Sequence, residues 1–271
     1  VCFLGTDESA IIAIIAHRSI AQRQQIKMVY KRDFGKDLDE DLKSELSGQF
    51  EKVVTGLLKT APVYDAYELR NAIKGAGTDE ACLLEILASR SNAEIKALTA
   101  AYSQEYGKVL EEDICGDTSG MFKRVLVSLL TAGRDECTTV DEALAKKDAK
   151  EMYDAGEARW GTDEDKFLTI LCIRNRSHLL RVFQEYLRIA GRDIEDSIKR
   201  EMSGNLEEIF LGLGTTDSIL IRVMVSRCEI DMLDIKTEFL KMYGKTLHSF
   251  IKGDTSGHYG KILLELCGPE K

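Results

Sequence analysis

The sequence predicts an all-α protein built from four copies of one helical unit. Three observations carry that prediction. First, a Gly-Thr pair recurs as Gly5-Thr6, Gly77-Thr78, Gly161-Thr162 and Gly214-Thr215. Thirteen residues after each glycine stands an arginine (Arg18, Arg90, Arg174, Arg227), and forty residues after it an acid (Glu45, Asp117, Glu201, Asp254). Second, the intervening segments carry apolar residues at helical spacing, bounded by cap-forming residues. Third, proline occurs only at Pro62 and Pro269, where a loop or tail is expected, which suits a helical chain. Fixed spacing across four copies marks one supersecondary unit used repeatedly.

The first unit shows the plan. Thr6 is placed to cap a helix, with Asp7 and Glu8 near its positive N-terminus and Ile11, Ile12 and Ile15 as its buried stripe. A second helix is expected from Ser19 or Ile20 to about Phe34, stopped by Gly35. Glycines recur at the same place, ten residues before each acid, as Gly107, Gly191 and Gly244. Leu38 and Leu42 mark a short third helix ending near Glu45. Ser47-Gly48 breaks the chain, and Ser47 is placed to cap a fourth helix carrying Phe50, Val53, Val54 and Leu57. The second unit adds a preceding helix, about Val63 to Lys74, so a complete unit has five helices.

The spacing between units is uneven. From acid to next loop glycine it is 32 residues after Glu45, 44 after Asp117 and only 13 after Glu201. Thirteen residues cannot hold two helices of about ten residues each. About 20 residues are therefore missing at the third junction relative to the others. The first unit also lacks its first helix. The expected units are 1–59, 60–132, 133–210 and 211–271.

Composition narrows the function. No apolar run approaches the length of about 20 residues that crosses a bilayer. The chain starts at Val1 without a signal peptide or methionine, which reads as a fragment or mature piece. Seven scattered cysteines without a Cys-x-x-Cys pair suit a reducing compartment, hence a cytoplasmic protein, and disfavour structural zinc. A net charge of −9 argues against nucleic acid as a partner and should repel an anionic membrane unless a cation intervenes.

The loop Ile73-Lys74-Gly75-Ala76-Gly77-Thr78 suggests that cation. Its glycines permit positive φ and can turn several carbonyl oxygens toward one point. Asp117, at the end of another helix, can add carboxylate oxygens. Carbonyl and carboxylate oxygens form a hard-cation donor set suited to Ca2+, with positions left for a lipid phosphate. Calcium and membrane would then each strengthen the binding of the other. The alternative is a helix stop, a threonine cap and an acid in a salt bridge; four copies at one loop-to-acid spacing favour a site. No Asp-x-Asp-x-Asp-Gly run for an EF-hand occurs, and Thr-Asp follows the glycines where a phosphate-cradling loop needs Lys-Ser/Thr. The four histidines show no metal-ligand or triad spacing, and no nucleophile–base pair stands out, so no enzyme is expected.

Lys74-Gly75-Ala76-Gly77-Thr78, Trp160-Gly161-Thr162-Asp163-Glu164, Leu220-Ile221-Arg222-Val223-Met224-Val225-Ser226-Arg227 and Gly253-Asp254-Thr255-Ser256-Gly257 resemble the annexins, of the vertebrate A group, over nearly the whole chain. The resemblance implies four five-helix repeats packed as a slightly curved disc, whose convex face binds calcium and anionic phospholipid. It implies as metal ligands Ile73, Gly75, Gly77 and Asp117 in the second repeat, and Gly156, Arg159, Gly161 and Glu201 in the third. Phe210, Gly212, Gly214 and Asp254 align in the fourth, and Val1, Phe3, Gly5 and Glu45 in the first. Phe3 stands where the family has glycine, and Leu211 where it has a basic residue. Trp160 is expected at the lipid interface, with Lys74 and Arg159 near lipid phosphates. Asp65, Glu85, Arg90 and Arg222 are expected to line a central polar channel, or to form a structural ion-pair network. Arg18, Arg90, Arg174 and Arg227 are expected to bind backbone carbonyls. Protein partners through an N-terminal tail, which these residues do not include, and self-association on membranes are further family expectations. The competing reading is a helical scaffold for protein partners with vestigial calcium sites.

Overall fold

The computed structural model describes residues 5–75, 77–156, 164–194, 196 and 217–270. Sixteen α-helices and no strand are present among the described residues. They fall into two units, Val1–Tyr64 with Thr215–Lys271, and Asp65–Gly214.

The first unit contains α1 (Glu8–Ile15), α2 (Ile20–Phe34), α3 (Leu38–Glu45) and α4 (Gly48–Leu57), then α13 (Asp217–Arg227), α14 (Met232–Tyr243), α15 (Leu247–Asp254) and α16 (Gly257–Cys267). α4 packs against both α13 and α16, which ties the first and last repeats together. Val53, Val54, Leu58, Met224, Ile262 and Leu263 are fully buried in this unit. Gly56 lets the chains close in: a Cβ there would lie 2.9 Å from the Tyr64 ring and 3.3 Å from Val225. Arg23 is buried, and its charge is met by Ile15 O at 2.8 Å and Glu229 Oε1 at 2.9 Å. Glu229 also accepts from Ile20 N, so one carboxylate closes the start of α2 and neutralises its arginine.

The second unit contains α6 (Glu80–Ser89), α7 (Asn92–Tyr106), α8 (Leu110–Asp117), α9 (Gly120–Leu130), α10 (Glu142–Ala155), α11 (Glu164–Ile173) and α12 (Arg176–Ala190). Most of α5 (Ala61–Ile73) belongs to it as well. Ala145, Ala149 and Ala155 form a small-residue face on α10 that packs with Phe167, Val182 and Tyr186 in one core. The long connector after α9 is held by Asn92, which donates to Arg134 O and accepts from Arg134 N.

The repeat is legible in the caps. Ser19 and Ser91 each form a capping box, with Gln22 and Glu94, and Asn175 caps α12. Gly35, Gly107, Gly191 and Gly244 all sit left-handed, with φ of 63–69°, and end equivalent helices. Two cap expectations are corrected. Asp7, not Thr6, caps α1 by accepting from Ala10 N, because the Thr6 hydroxyl is engaged elsewhere. Ser47 precedes α4 without a side-chain cap bond; Gly48 instead begins that helix at φ 65°.

Candidate metal centre

The carbonyl-turning loop follows α5. Ile73 is its last helical residue and is buried, while Lys74, Gly75 and Gly77 are exposed. Gly75 has φ 128° and Gly77 φ 99°, values an L side chain rarely adopts, and both look onto open space. The turn is closed by Asp79 N donating to Ala72 O at 2.8 Å. Asp79 then caps α6 through Cys82 N, fixing the loop's far end.

Asp117 ends α8 and is exposed. Thr78 Oγ1 donates to its Oδ2 at 2.6 Å. The same contact recurs in the first repeat, where Thr6 Oγ1 donates to Glu45 Oε2 at 2.9 Å. The hydroxyl thus spans the long separation in sequence between loop and acid and brings the spaced motif together. In each case the second carboxylate oxygen accepts no hydrogen bond among the described residues. The donor chemistry fits a hard cation: an exposed carboxylate beside a turn whose Ile73, Gly75 and Gly77 carbonyls accept none of the loop's bonds among the described residues. Among the described residues no three His, Cys, Asp or Glu side chains converge as an alternative metal site.

The other expected ligands are placed only in part. Gly5 is exposed beside Thr6, and Asp254 is exposed at the end of α15. Gly156 ends α10, with φ −113° and ψ −90°, and is packed near the Phe167 ring. Val1, Phe3, Arg159, Trp160, Gly161, Glu201, Phe210, Gly212 and Gly214 lie outside the described residues.

The channel residues resolve differently. Arg90 grips Asp65 bidentately, through Nε at 2.7 Å and a terminal nitrogen at 2.8 Å, and both side chains are nearly buried. Burial opposes the Arg90 charge, but Asp65 more than compensates and holds the guanidinium protonated. Glu85 is half-buried and adds to the same field. Arg222 is buried in the other unit. The expectation that the repeated arginines bind carbonyls is corrected for three of them. Arg90 pairs with Asp65, Arg174 with Asp148, and Arg227 with Asp231. A carboxylate wins because it offers a planar guanidinium two parallel charge-assisted bonds. Among the described residues Arg18 does meet a carbonyl, His17 O at 3.3 Å.

Sequence reading missed the extension of this pairing in the third repeat. Asp148 is buried and also receives His178 Nε2 at 2.9 Å. The available signal was that Asp65 and Asp148 stand at nearly the same distance before their loop glycines.

The annexin family model matches residues 3–57, 64–129, 147–213 and 208–266. The third and fourth matches overlap, as a shortened junction requires. Annexin A4 of Mus musculus is 59% identical over 287 residues, covering 98% of this chain and 90% of that protein. That span exceeds the 271 residues present, so the relative carries positions this chain lacks. Among solved structures, annexin III matches with a TM-score of 0.92 at 46% identity, covering 99% of this chain and 90% of that one. A structure of calcium-bound annexin (Sm)1 matches with a TM-score of 0.80 at 31% identity, covering 98% and 86%. Annexins are in general calcium-dependent phospholipid-binding proteins. With four matched stretches spanning nearly all of its length, the chain belongs to the annexin family.

Proposed function

We propose that this protein binds anionic phospholipid membranes reversibly and only with calcium, using loop carbonyls and one distant carboxylate in each competent repeat. The observation that carries the reading is the Thr78–Asp117 hydrogen bond, which sets a carboxylate beside a two-glycine turn. Ile73, Gly75, Gly77 and Asp117 would hold the ion in the second repeat. Gly156, Arg159, Gly161 and Glu201 would do so in the third. Bound calcium supplies the positive charge that a chain of net charge −9 needs to approach an anionic surface. A lipid phosphate would complete its oxygen shell, with Lys74, Arg159 and Trp160 at the lipid surface. The weaker candidates are the first and fourth repeats, where Phe3 and Leu211 depart from the family pattern. Among the described residues no helix is long and apolar enough to cross a membrane, which suits peripheral attachment from the cytoplasm. No catalytic step enters this function.

The test is co-sedimentation with phosphatidylserine vesicles while calcium is titrated and then chelated. Binding that follows calcium and reverses with chelator supports the reading; protein that stays in the supernatant at saturating calcium overturns it.

A second reading, a helical scaffold for protein partners, is favoured by one observation. The outer face of α2 leaves Met28, Val29 and Phe34 exposed.

A further inference from the structure

α2, α7, α12 and α14 hold the same place in successive repeats, and each ends at a left-handed glycine. Counted back from those glycines, two positions seven residues apart distinguish the repeats. They are Gln24 and Lys31 in α2, Lys96 and Ser103 in α7, Leu180 and Leu187 in α12, and Leu233 and Leu240 in α14.

The second repeat shows that these positions face outward in a complete repeat. Its five helices, α5 to α9, are all described, and Lys96 and Ser103 are nevertheless exposed. Polar residues suit such places. In α12 they are taken by Leu180, 65% exposed, and Leu187, 49% exposed. Half-buried Phe183 stands between them. Spacings of three and four residues set all three on one line along the helix. This line is not the packing stripe of α12, because Val182 and Tyr186 already carry its opposite face into the core.

The charge beside the line is basic, on a chain of net charge −9. α12 carries three arginines and one glutamate. Arg176, one turn before Leu180, is exposed and donates to the uncharged Ser89 O. Arg188, next to Leu187, has a side chain 66% exposed. Glu185 is buried and is shared between Arg181 and Arg188, so positive charge stays in excess at the surface. α14 lacks this combination. Glu229 and Lys236 stand there in place of Arg176 and Phe183, which mixes the charges and breaks the apolar line.

We propose that the outer line of α12 docks an acidic amphipathic helix of a partner protein, with apolar residues at heptad spacing and Glu or Asp beside them. Leu180, Phe183 and Leu187 receive the partner's apolar seam, and Arg176 and Arg188 meet its carboxylates. Charge selects this occupant. A second copy would set one basic helix against another, which repels. An anionic membrane matches the charge but calls for a broad apolar face, and this line is one side chain wide. The calcium loops take no part, so docking stands apart from the calcium reading.

The probe is a labelled three-heptad peptide with Leu at a and d and Glu at e and g, whose like charges keep it from pairing with itself. It is titrated with the full chain in chelator and followed by fluorescence anisotropy, beside a control peptide with Lys at e and g. Saturable one-to-one binding of the Glu peptide is expected, with helix gained in circular dichroism, and none of the Lys peptide. Leu180→Lys with Leu187→Ser installs the residues of the second repeat and should weaken binding roughly tenfold or more. Both positions are exposed, so the far-UV spectrum should not change. Arg176→Ala should weaken binding severalfold and flatten its salt dependence. Leu233→Lys should bind as the parent does. No saturable binding of the Glu peptide, equal binding of the Lys peptide, or binding that the double change leaves intact would overturn the proposal. So would attachment to phosphatidylserine vesicles in chelator, or self-association in sedimentation velocity, that the double change abolishes; these would give the line to a membrane or to a second copy.

Discussion

Thr78 donates its hydroxyl hydrogen to Asp117 across 2.6 Å, joining the loop after α5 to the end of α8. Thr6 and Glu45 repeat the contact at 2.9 Å. One hydroxyl therefore fixes where the carboxylate stands relative to the loop carbonyls. A cation that needs both at once depends on this contact without touching the threonine.

Thr78→Val keeps the shape and removes the donor. The net loss of such a bond is about 1 kcal/mol. Half-maximal vesicle binding should then require severalfold more calcium, while the melting temperature without calcium changes little. Calcium titration beside differential scanning calorimetry checks both halves.

Gly77→Ala places a side chain at φ 99°, a conformation that costs an L residue about 1–3 kcal/mol. There is open space around the position, so the cost is backbone strain and not a clash. The loop should relax, and calcium-dependent binding should weaken with the far-UV spectrum unchanged.

Gly56→Ala tests the packing of the first unit. The added Cβ would sit 2.9 Å from the Tyr64 ring, inside contact distance. Overpacking of this kind costs about 1–3 kcal/mol, so the denaturant midpoint should fall without a change in slope.

Asp148→Asn tests the buried pairing in the third repeat. Burial alone would raise the Asp148 carboxyl, but Arg174 and His178 outweigh it and hold it below its ordinary value of 3.8. A depressed carboxyl stabilises the fold above its unfolded pKa, and that stability is lost as pH falls through the folded value. The substitution should cost about 3 kcal/mol at neutral pH by leaving Arg174 without its carboxylate. The gap to the parent protein should close on acidification below pH 3.8, which urea titrations at several pH values would show.

The helical repeat was legible because its signals are local. Caps at Ser19 and Ser91, left-handed stops at Gly35 and Gly107, and apolar stripes all act within one or two turns. The loop and acid were legible because their spacing repeats. What sequence did not show depends on tertiary neighbours. Thr6 was expected to cap α1, but an acid 39 residues away takes its hydroxyl, and Asp7 caps instead. Arg23 finds Glu229 at a separation of 206 residues, for which no local pattern exists. The repeated arginines were legible as a motif, yet their carboxylate partners lie on helices that precede them by 25 or 26 residues in two repeats.

On the proposed function, calcium held by loop carbonyls and a distant acid attaches the chain to anionic lipid. The direct measurement is co-sedimentation with phosphatidylserine vesicles across a calcium titration, comparing the parent protein with Asp117→Ala plus Glu201→Ala. Binding should appear with calcium, reverse with chelator and shift to higher calcium, by roughly tenfold or more, in the double variant. Binding indifferent to chelator, or a double variant that titrates with the parent, would contradict it.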